Sequence, residues 1–299
     1  MSSASLSSPL TSSTSGATAA ARTSTLGAST LEVDDLDFVR QLVLARSAIV
    51  LDAGKGYLVE SRLAPIVREE RLSSIGDLVE QLRRRPRSPL EARVIDAMTT
   101  NETSFFRDVH PFDALPAIIG DLPGGATGPL TIWCAACSSG QEPYSIAMTI
   151  HEKLPHLASR VRILGTDLSP TMVERCRAGR FSQLEVNRGL PARLLVRYFD
   201  QDGTDWVAKP QLRSMIDARV GNLAEPLLGT PRCHLVMLRN VLIYFSVDTK
   251  AEILERIRKD VLVPGGLLML GSSETTHNID NVYERVEFGR ATCYRPPTS

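Results

Sequence analysis

Apolar positions recur at near-helical spacing in the part of the chain that begins at Asp34. The spacing predicts one helix starting at Asp34 and further helices at about 55–69, 74–85 and 89–99. Asp34 and Asp35 are suited to cap the first helix, because a carboxylate accepts the free backbone N–H groups of a helix start. No strand-like alternation interrupts these stretches, so residues 31–98 are predicted to form a small all-helical domain.

A different rhythm begins after Pro111, where short apolar runs alternate with helical stretches. Four runs predict buried strands, at 130–135, 161–165, 234–238 and 267–270. A helix at about 143–153 follows the first strand, Ser169 and Pro170 predict the start of another after the second, and a turn at 264–266 precedes the last. The alternation predicts an α/β fold with a mainly parallel, doubly wound sheet in residues 112–299. At about 181–220 the pattern breaks into shorter polar pieces, which we interpret as an insertion.

The first 30 residues differ from the rest in composition. They contain 16 Ser or Thr and lack the apolar core of a secretory signal, so we expect a disordered tail. The whole chain is 43% hydrophobic and 23% charged, which is typical of a soluble globular protein. Its 34 basic and 34 acidic side chains cancel, which argues against bulk attraction to nucleic acid or to a membrane surface. No stretch approaches the roughly 18 apolar residues of a membrane span.

Two of the five cysteines, Cys134 and Cys137, form a C-x-x-C pair. Such a pair can be redox-active or can supply half of a zinc site, but no second pair stands at the spacing that zinc motifs use. We therefore expect no metal site and interpret both cysteines as small buried residues in a reducing cytoplasm.

Polar residues follow several of the predicted strands, where open α/β sheets bind their ligands. The loop at 137–142 is rich in small residues but lacks G-x-G-x-x-G, which counts against a dinucleotide. Asp167 follows the second strand, where an acid can bind ribose hydroxyls or can cap a helix. Asn222 and Asn240 could each donate to and accept from a ligand, or serve only as turn residues.

Six segments, taken in order, resemble motifs of the bacterial chemotaxis receptor methyltransferases, the CheR family. They are 101–107 (NETSFFR), 136–145 (ACSSGQEPYS), 165–167 (GTD), 221–223 (GNL), 239–245 (RNVLIYF) and 264–274 (PGGLLMLGSSE). The resemblance extends from about residue 34 to 295 and leaves out the Ser/Thr-rich tail. Gln141 stands where the family often has Glu, a departure that we expect to be tolerated.

This resemblance implies an S-adenosylmethionine-dependent methyltransferase domain with a Rossmann-like sheet and a small inserted antiparallel β-subdomain. The helical domain would precede it, and residues 99–111 would form a linker that contributes to the cofactor site. The residues implied to surround S-adenosylmethionine are Asn101, Thr103, Arg107, Glu142, Asp167, Asn222, Leu223, Asn240 and Val241.

The resemblance also implies a reaction, the methylation of receptor glutamates to methyl esters with S-adenosylhomocysteine as the second product. A glutamate has a pKa of about 4.3 in water, so near pH 7 it is already a carboxylate nucleophile and needs no general base. Arg107 and Tyr244 would be the catalytic residues. Spacing alone is equally consistent with Tyr244 as a core aromatic residue with a polar tip.

The implied partners are the cytoplasmic methylation helices of chemotaxis receptors. We expect a cytoplasmic monomer with no nucleic-acid partner and no membrane insertion. Some family members bind a peptide tether at the receptor C-terminus through a longer loop than the one at 200–205 here, so we expect tether-independent docking. The docking surface would then be the helical domain, through Arg62, Arg68 and Arg71.

Three other functions compete with this one. The same fold could methylate a different substrate, although the helical domain and the segment 101–107 argue against a generic methyltransferase. A non-catalytic signalling module could bind S-adenosylmethionine without transferring its methyl group, but every motif position keeps a competent side chain. A nicotinamide-dependent dehydrogenase is disfavoured by the missing dinucleotide motif.

Overall fold

Residues 32–125 and 128–297 are described by a computed structural model of the chain, and the predicted tail at 1–30 lies outside the described residues. The N-terminal unit consists of helices α1 (Val33–Ser47), α2 (Gly56–Glu69), α3 (Ile75–Arg84) and α4 (Pro89–Met98), with a 3₁₀ turn at Ala53–Lys55. Asp34 and Asp35 lie inside the first turn of α1 rather than at its cap, which is Glu32. Acidic side chains there still favour the helix, because they face the positive end of its dipole.

The predicted starts of α3 and α4 have a clear local cause. Ser74 accepts the backbone N–H of Asp77, and Ser88 accepts that of Glu91, as expected for N-cap serines. The four helices enclose their own apolar core, which includes the fully buried Val39, Leu63, Leu78, Val94 and Met98.

The remaining chain alternates between strands and helices. Its helices are α5 (His110–Asp121), α6 (Gln141–Lys153), α7 (Pro170–Ala178), α8 (Gln183–Asn187), α9 (Ala192–Tyr198), α10 (Pro210–Arg213) and α11 (Val247–Arg256). Its strands are β1 (Leu130–Ala135), β2 (Val161–Asp167), β3 (Arg180–Ser182), β4 (Phe199–Asp202), β5 (Asp205–Ala208), β6 (Ile216–Val220), β7 (Cys233–Leu238), β8 (Leu262–Leu270), β9 (Glu284–Phe288) and β10 (Ala291–Arg295).

Seven strands form the main sheet, in the order β6-β2-β1-β7-β8-β10-β9. The first five are parallel, whereas β10 runs antiparallel to both β8 and β9. The order reverses between β1 and β7, and a crevice at such a switch point is where open α/β sheets bind ligands. Separate apolar cores cover the two faces of the sheet. The predicted doubly wound α/β fold with a preceding helical unit is confirmed.

Two strands differ from the sequence predictions. Residues 216–220, which we assigned to the insertion, pair with β2 as an edge strand of the main sheet. The strand is mostly exposed and polar, so its pattern does not reveal it. The inserted antiparallel sheet is therefore limited to β3, β5 and β4. Strand β8 starts at Leu262, before the predicted turn at 264–266, because that turn is a bulge within the strand: Leu262 pairs with Cys233, and Leu267 pairs with Leu235.

None of the described helices combines the length and the apolar character that crossing a lipid bilayer requires.

Candidate functional site

A cleft opens at the carboxyl ends of β1, β2, β6 and β7, and it contains every residue that the sequence assigned to the site. Ser47 and Ile49 of the helical unit complete its wall. The predicted residues that line it are Asn101, Thr103, Arg107, Glu142, Asp167, Asn222, Leu223, Asn240, Val241 and Tyr244. Five separate chain segments thus converge on one cavity.

The loop after β1 gives the cleft its floor. Gly140 caps α6 with φ of 103°, and a Cβ atom there would lie 2.8 Å from the Cys176 sulfur, so both backbone conformation and space require glycine. Helix α6 begins at Gln141, two residues earlier than predicted, which places Glu142 in its first turn. An acid in that position is favoured by the helix dipole.

Asp167 is the last residue of β2 and is 7% exposed. Its two carboxylate oxygens accept the backbone N–H groups of Ser138 at 2.8 Å and Ser169 at 2.9 Å. Burial raises the pKa of Asp167 above its ordinary value, although these two hydrogen bonds oppose the rise. Because a carboxylate oxygen has two lone pairs, each one can still accept a hydrogen bond from a ligand hydroxyl in the cleft.

The loop after β7 is held by a single carboxylate. Glu274 accepts the backbone N–H groups of Asn240 at 2.7 Å, Val241 at 2.9 Å and Leu242 at 2.8 Å, together with that of Gly271 at 2.8 Å. Asn240 adopts a left-handed conformation with φ of 57°. The carboxylate therefore fixes the backbone that leads to Tyr244.

Arg107 lies on the segment that enters the cleft from the helical unit. Among the described residues its guanidinium makes one hydrogen bond, to the Glu102 carbonyl at 3.2 Å. Its backbone carbonyl accepts a hydrogen bond at 2.8 Å from Arg239, a residue that is 6% exposed. Arg239 also donates to Glu142 at 2.6 Å and to Asp108 at 2.8 Å.

The helical unit joins the cleft through backbone contacts. The Val50 N–H donates to the Tyr244 carbonyl at 2.9 Å, and Ile49 forms an isolated antiparallel bridge with Phe245. The Asn222 side chain donates to the Arg46 carbonyl at 2.9 Å. Asn222 is thus already a structural tie between the two units, while its position also lines the cleft.

Sequence reasoning missed Arg239 and Glu274 as parts of the site. Both stand inside motifs that were recognised, but their partners lie more than 30 positions away along the chain: Glu142 for Arg239, and the backbone at 240–242 for Glu274. A buried arginine directly after a strand is the signal that could have identified Arg239, because such a charge needs acidic partners.

The two motif cysteines are buried, as predicted. Burial raises the pKa of the Cys134 thiol, and a hydrogen bond with Cys176 together with burial raises that of Cys137. Both are therefore neutral thiols near pH 7. In the described parts of the chain no group of three or more His, Cys, Asp or Glu side chains is arranged to hold a metal ion.

The arrangement suits a polar ligand that carries both hydroxyls and positive charge. Glu142 and Asp167 supply negative charge, and backbone and amide groups at 222–223 and 240–241 can bind polar ring edges. Arg107 and Tyr244 remain available to a second molecule, because neither of their polar groups is consumed by the hydrogen bonds that fix the loops.

Comparison with known proteins gives matches along nearly the whole described chain. The family described as CheR methyltransferase, all-alpha domain matches residues 34–99, and CheR methyltransferase, SAM binding domain matches 101–292. "Chemotaxis protein methyltransferase Cher2" of Pseudomonas putida is 40% identical over 89% of this chain and 99% of its own length. "Chemotaxis protein methyltransferase 1" of Pseudomonas aeruginosa is 41% identical over 87% of this chain and 97% of its own.

Solved structures give a slighter likeness. A TehB-like SAM-dependent methyltransferase from Corynebacterium glutamicum aligns with 64% of this chain and 92% of its own, at 13% identity and a TM-score of 0.37. This value is too low to add to the family match.

Proposed function

Because the chain belongs to the CheR family of methyltransferases, we propose that it transfers the methyl group of S-adenosylmethionine to glutamate side chains of chemotaxis receptors. The products are glutamate 5-O-methyl esters and S-adenosylhomocysteine. One observation carries the proposal: the residues that the family motifs assign to cofactor and catalysis come from five segments and meet in one cleft.

The donor groups of the cleft fit this cofactor. Asp167 keeps acceptor capacity for ribose hydroxyls, and Glu142 supplies a carboxylate for an amino group. Asn222, Leu223, Asn240 and Val241 would surround the adenine, and Asn101 and Thr103 would line the remaining wall. When bound, S-adenosylmethionine supplies an electrophilic methyl group on a sulfonium.

The chain itself would contribute alignment rather than proton transfer. A receptor glutamate is ionised near pH 7, so no side chain has to act as a base. Arg107 can bind that carboxylate through the parallel N–H groups of its guanidinium. The Tyr244 hydroxyl can contact the group being transferred. Holding the reacting atoms about 3–3.5 Å apart lowers the barrier by several kcal/mol.

Transfer of a labelled methyl group tests the proposal directly. A receptor cytoplasmic fragment is incubated with methyl-labelled S-adenosylmethionine and the protein, and a fragment with its methylation glutamates changed to alanine is the control. We expect base-labile label that maps to glutamate in the first fragment alone. Tight S-adenosylhomocysteine binding without label would indicate a non-catalytic module, and base-stable label would indicate a different substrate group.

For receptor docking we propose the helical unit, with one correction to the expected surface. Arg68 and Arg71 are exposed and suit an acidic helix. Arg62 does not belong to this surface, because it is partly buried and donates to the Met98 carbonyl at 2.7 Å and to the Thr100 hydroxyl at 3.0 Å. Its charge therefore supports the chain that leads into the cleft.

The short turn between β4 and β5 supports tether-independent docking, since only residues 203–204 separate the two strands. We accordingly place the reaction on a monomer in the cytoplasm. Reversing Arg68 and Arg71 to Glu should raise KM for the receptor severalfold at low salt and leave S-adenosylhomocysteine affinity unchanged. Micromolar binding of a receptor C-terminal pentapeptide, or an unchanged KM, would contradict this docking surface.

A further inference from the structure

The backbone around Arg107 is unusual for its residue types. Phe106, Asp108 and Val109 have φ of 50°, 67° and 53°, although none of them is glycine. Positive φ brings a side chain close to its own backbone, and the β-branched Val109 tolerates it least. Such conformations persist only where surrounding contacts impose them. Something must therefore hold this segment in place.

Arg239 is placed to do so. One terminal nitrogen donates to the Arg107 carbonyl and to the Asp108 carboxylate, both at 2.8 Å, and the other donates to Glu142 at 2.6 Å. The guanidinium also lies over the Phe112 ring at 5.7 Å. A buried fork thus joins the strained segment to the first turn of α6.

We propose that Arg239 is a positioning residue for methyl transfer. By holding the carbonyl of Arg107 and the carboxylate of Asp108 against Glu142, it fixes the catalytic segment relative to the cofactor cleft. Lysine cannot replace it, because a compact ammonium on a flexible stem cannot reach three acceptors in one plane. This inference rests on the proposed function, in which Arg107 acts on the substrate.

The test compares Arg239→Lys with a matched control, Arg258→Lys. Arg258 is also largely buried and is paired with the buried carboxylate of Asp280 at 3.5 Å, but it lies in the turn after α11 and is not a cleft residue. Both variants keep the positive charge and are measured only where calorimetry shows them to be folded. We expect Arg239→Lys to lower kcat by about 10²-fold, the size expected for a small misplacement of a catalytic group.

The split between kinetic constants distinguishes positioning from stability. Glu142 stays in the first turn of α6 without Arg239, so S-adenosylhomocysteine affinity should fall much less than kcat. Arg258→Lys should leave kcat unchanged even if it lowers the melting temperature. Equal losses of kcat in the two variants, or a loss in Arg239→Lys that only follows its folded fraction, would overturn the proposal.

Hydrogen–deuterium exchange provides a readout that does not depend on the receptor. With S-adenosylhomocysteine bound, backbone amides at 105–112 should exchange faster in Arg239→Lys than in the wild type, and Arg258→Lys should leave them unchanged. Unchanged exchange in Arg239→Lys would show that other contacts hold the segment and would also overturn the proposal. Absence of receptor methylation by the wild type would refute the proposed function alone, since this exchange measurement would still decide the role of Arg239.

Discussion

The loop that carries Tyr244 and the segment that carries Arg107 both line the cleft, but opposite kinds of group hold them. The first is fixed by the Glu274 carboxylate, which accepts four backbone N–H groups. The second is fixed by the Arg239 guanidinium, which donates to a backbone carbonyl and a carboxylate. A carboxylate can only accept and a guanidinium can only donate, so each satisfies what its segment leaves unpaired.

The two segments also differ in what a broken hold would cost. The loop at 240–242 would keep buried backbone N–H groups without acceptors, and such groups cost free energy of unfolding. The segment at 106–109 would instead relax from its positive φ values, which recovers part of the lost energy but moves Arg107. Loss of Glu274 should therefore appear mainly as instability, and loss of contacts around Arg107 mainly as slower turnover.

The largest expected effect is on stability at Glu274. Glu274→Ala should lower the free energy of unfolding by about 3 kcal/mol, because it removes a charged acceptor of several hydrogen bonds at once. Urea denaturation measures it. Glu287→Ala is the control, since that side chain is 63% exposed in its ion pair with Arg285 and should change stability by less than about 0.5 kcal/mol. A loss at Glu274 as small as the control's would mean that water replaces its role.

Turnover should respond most to the two catalytic candidates. Arg107→Ala should slow methyl transfer by about 10²-fold, and Tyr244→Phe should slow it less because the ring remains. The melting temperature of both should hardly move, since neither side-chain polar group fixes a loop. Arg290→Ala, which removes an exposed arginine, should leave both rate and melting temperature unchanged. Normal turnover in both cleft variants would mean that the site works through cofactor placement alone.

Asp167 tests the cofactor side of the cleft. Asp167→Ala should weaken S-adenosylhomocysteine binding by about 1.5–3 kcal/mol, the range for hydrogen bonds to a charged group. Titration calorimetry checks this value. Asp217→Ala on the neighbouring strand β6 is the matched control, because that carboxylate is exposed and paired with Arg219. Wild-type affinity in Asp167→Ala would remove this residue from the site.

The smallest effect is a pH dependence of the same binding. Since burial raises the pKa of Asp167, its carboxylate takes up a proton at a pH above the ordinary value of about 3.9 and then accepts fewer hydrogen bonds from a ligand. Affinity for S-adenosylhomocysteine should therefore fall as the pH is lowered toward that range. Asp167→Asn should bind more weakly at neutral pH and show a flatter profile.

The contribution of this group to folding has the opposite sign. A raised aspartate pKa means that the native state holds the proton more tightly than the unfolded chain. That contribution is present below the unfolded pKa and is lost as the pH rises through the raised one. An acid loss of affinity at Asp167 is thus separable from acid unfolding.

Much of the fold could be predicted because its parallel strands are buried on both faces. The apolar run at 130–135 corresponds to β1 without correction, and the predicted run at 161–165 is only two residues shorter than β2. The edge strand Ile216–Val220 could not be recognised, since three of its five residues are exposed and its partner β2 supplies the pairing. The bulge in β8 contains Pro and two Gly, which in a single sequence are indistinguishable from a turn.

The site was predictable from its motifs but its internal connections were not. The motifs named the ten residues that line the cleft, and the geometry explains why each segment carries polar groups. The bonds of Arg239 to Glu142 and Asp108 span 97 and 131 positions of sequence, so no local pattern encodes them. Nor does any local pattern announce the positive φ of Phe106 and Val109, because neither residue type favours it.

The contribution of Ser47 and Ile49 to the cleft wall has a thermodynamic consequence. A ligand bound there contacts the helical unit and the sheet at once, so its binding free energy adds to the stability of both and of the attachment between them. At a ligand concentration of 100 times Kd this addition is about 2.7 kcal/mol. The occupied protein should therefore melt as one cooperative unit, and a fragment that lacks the helical unit should lose affinity even where every motif of the sheet is intact.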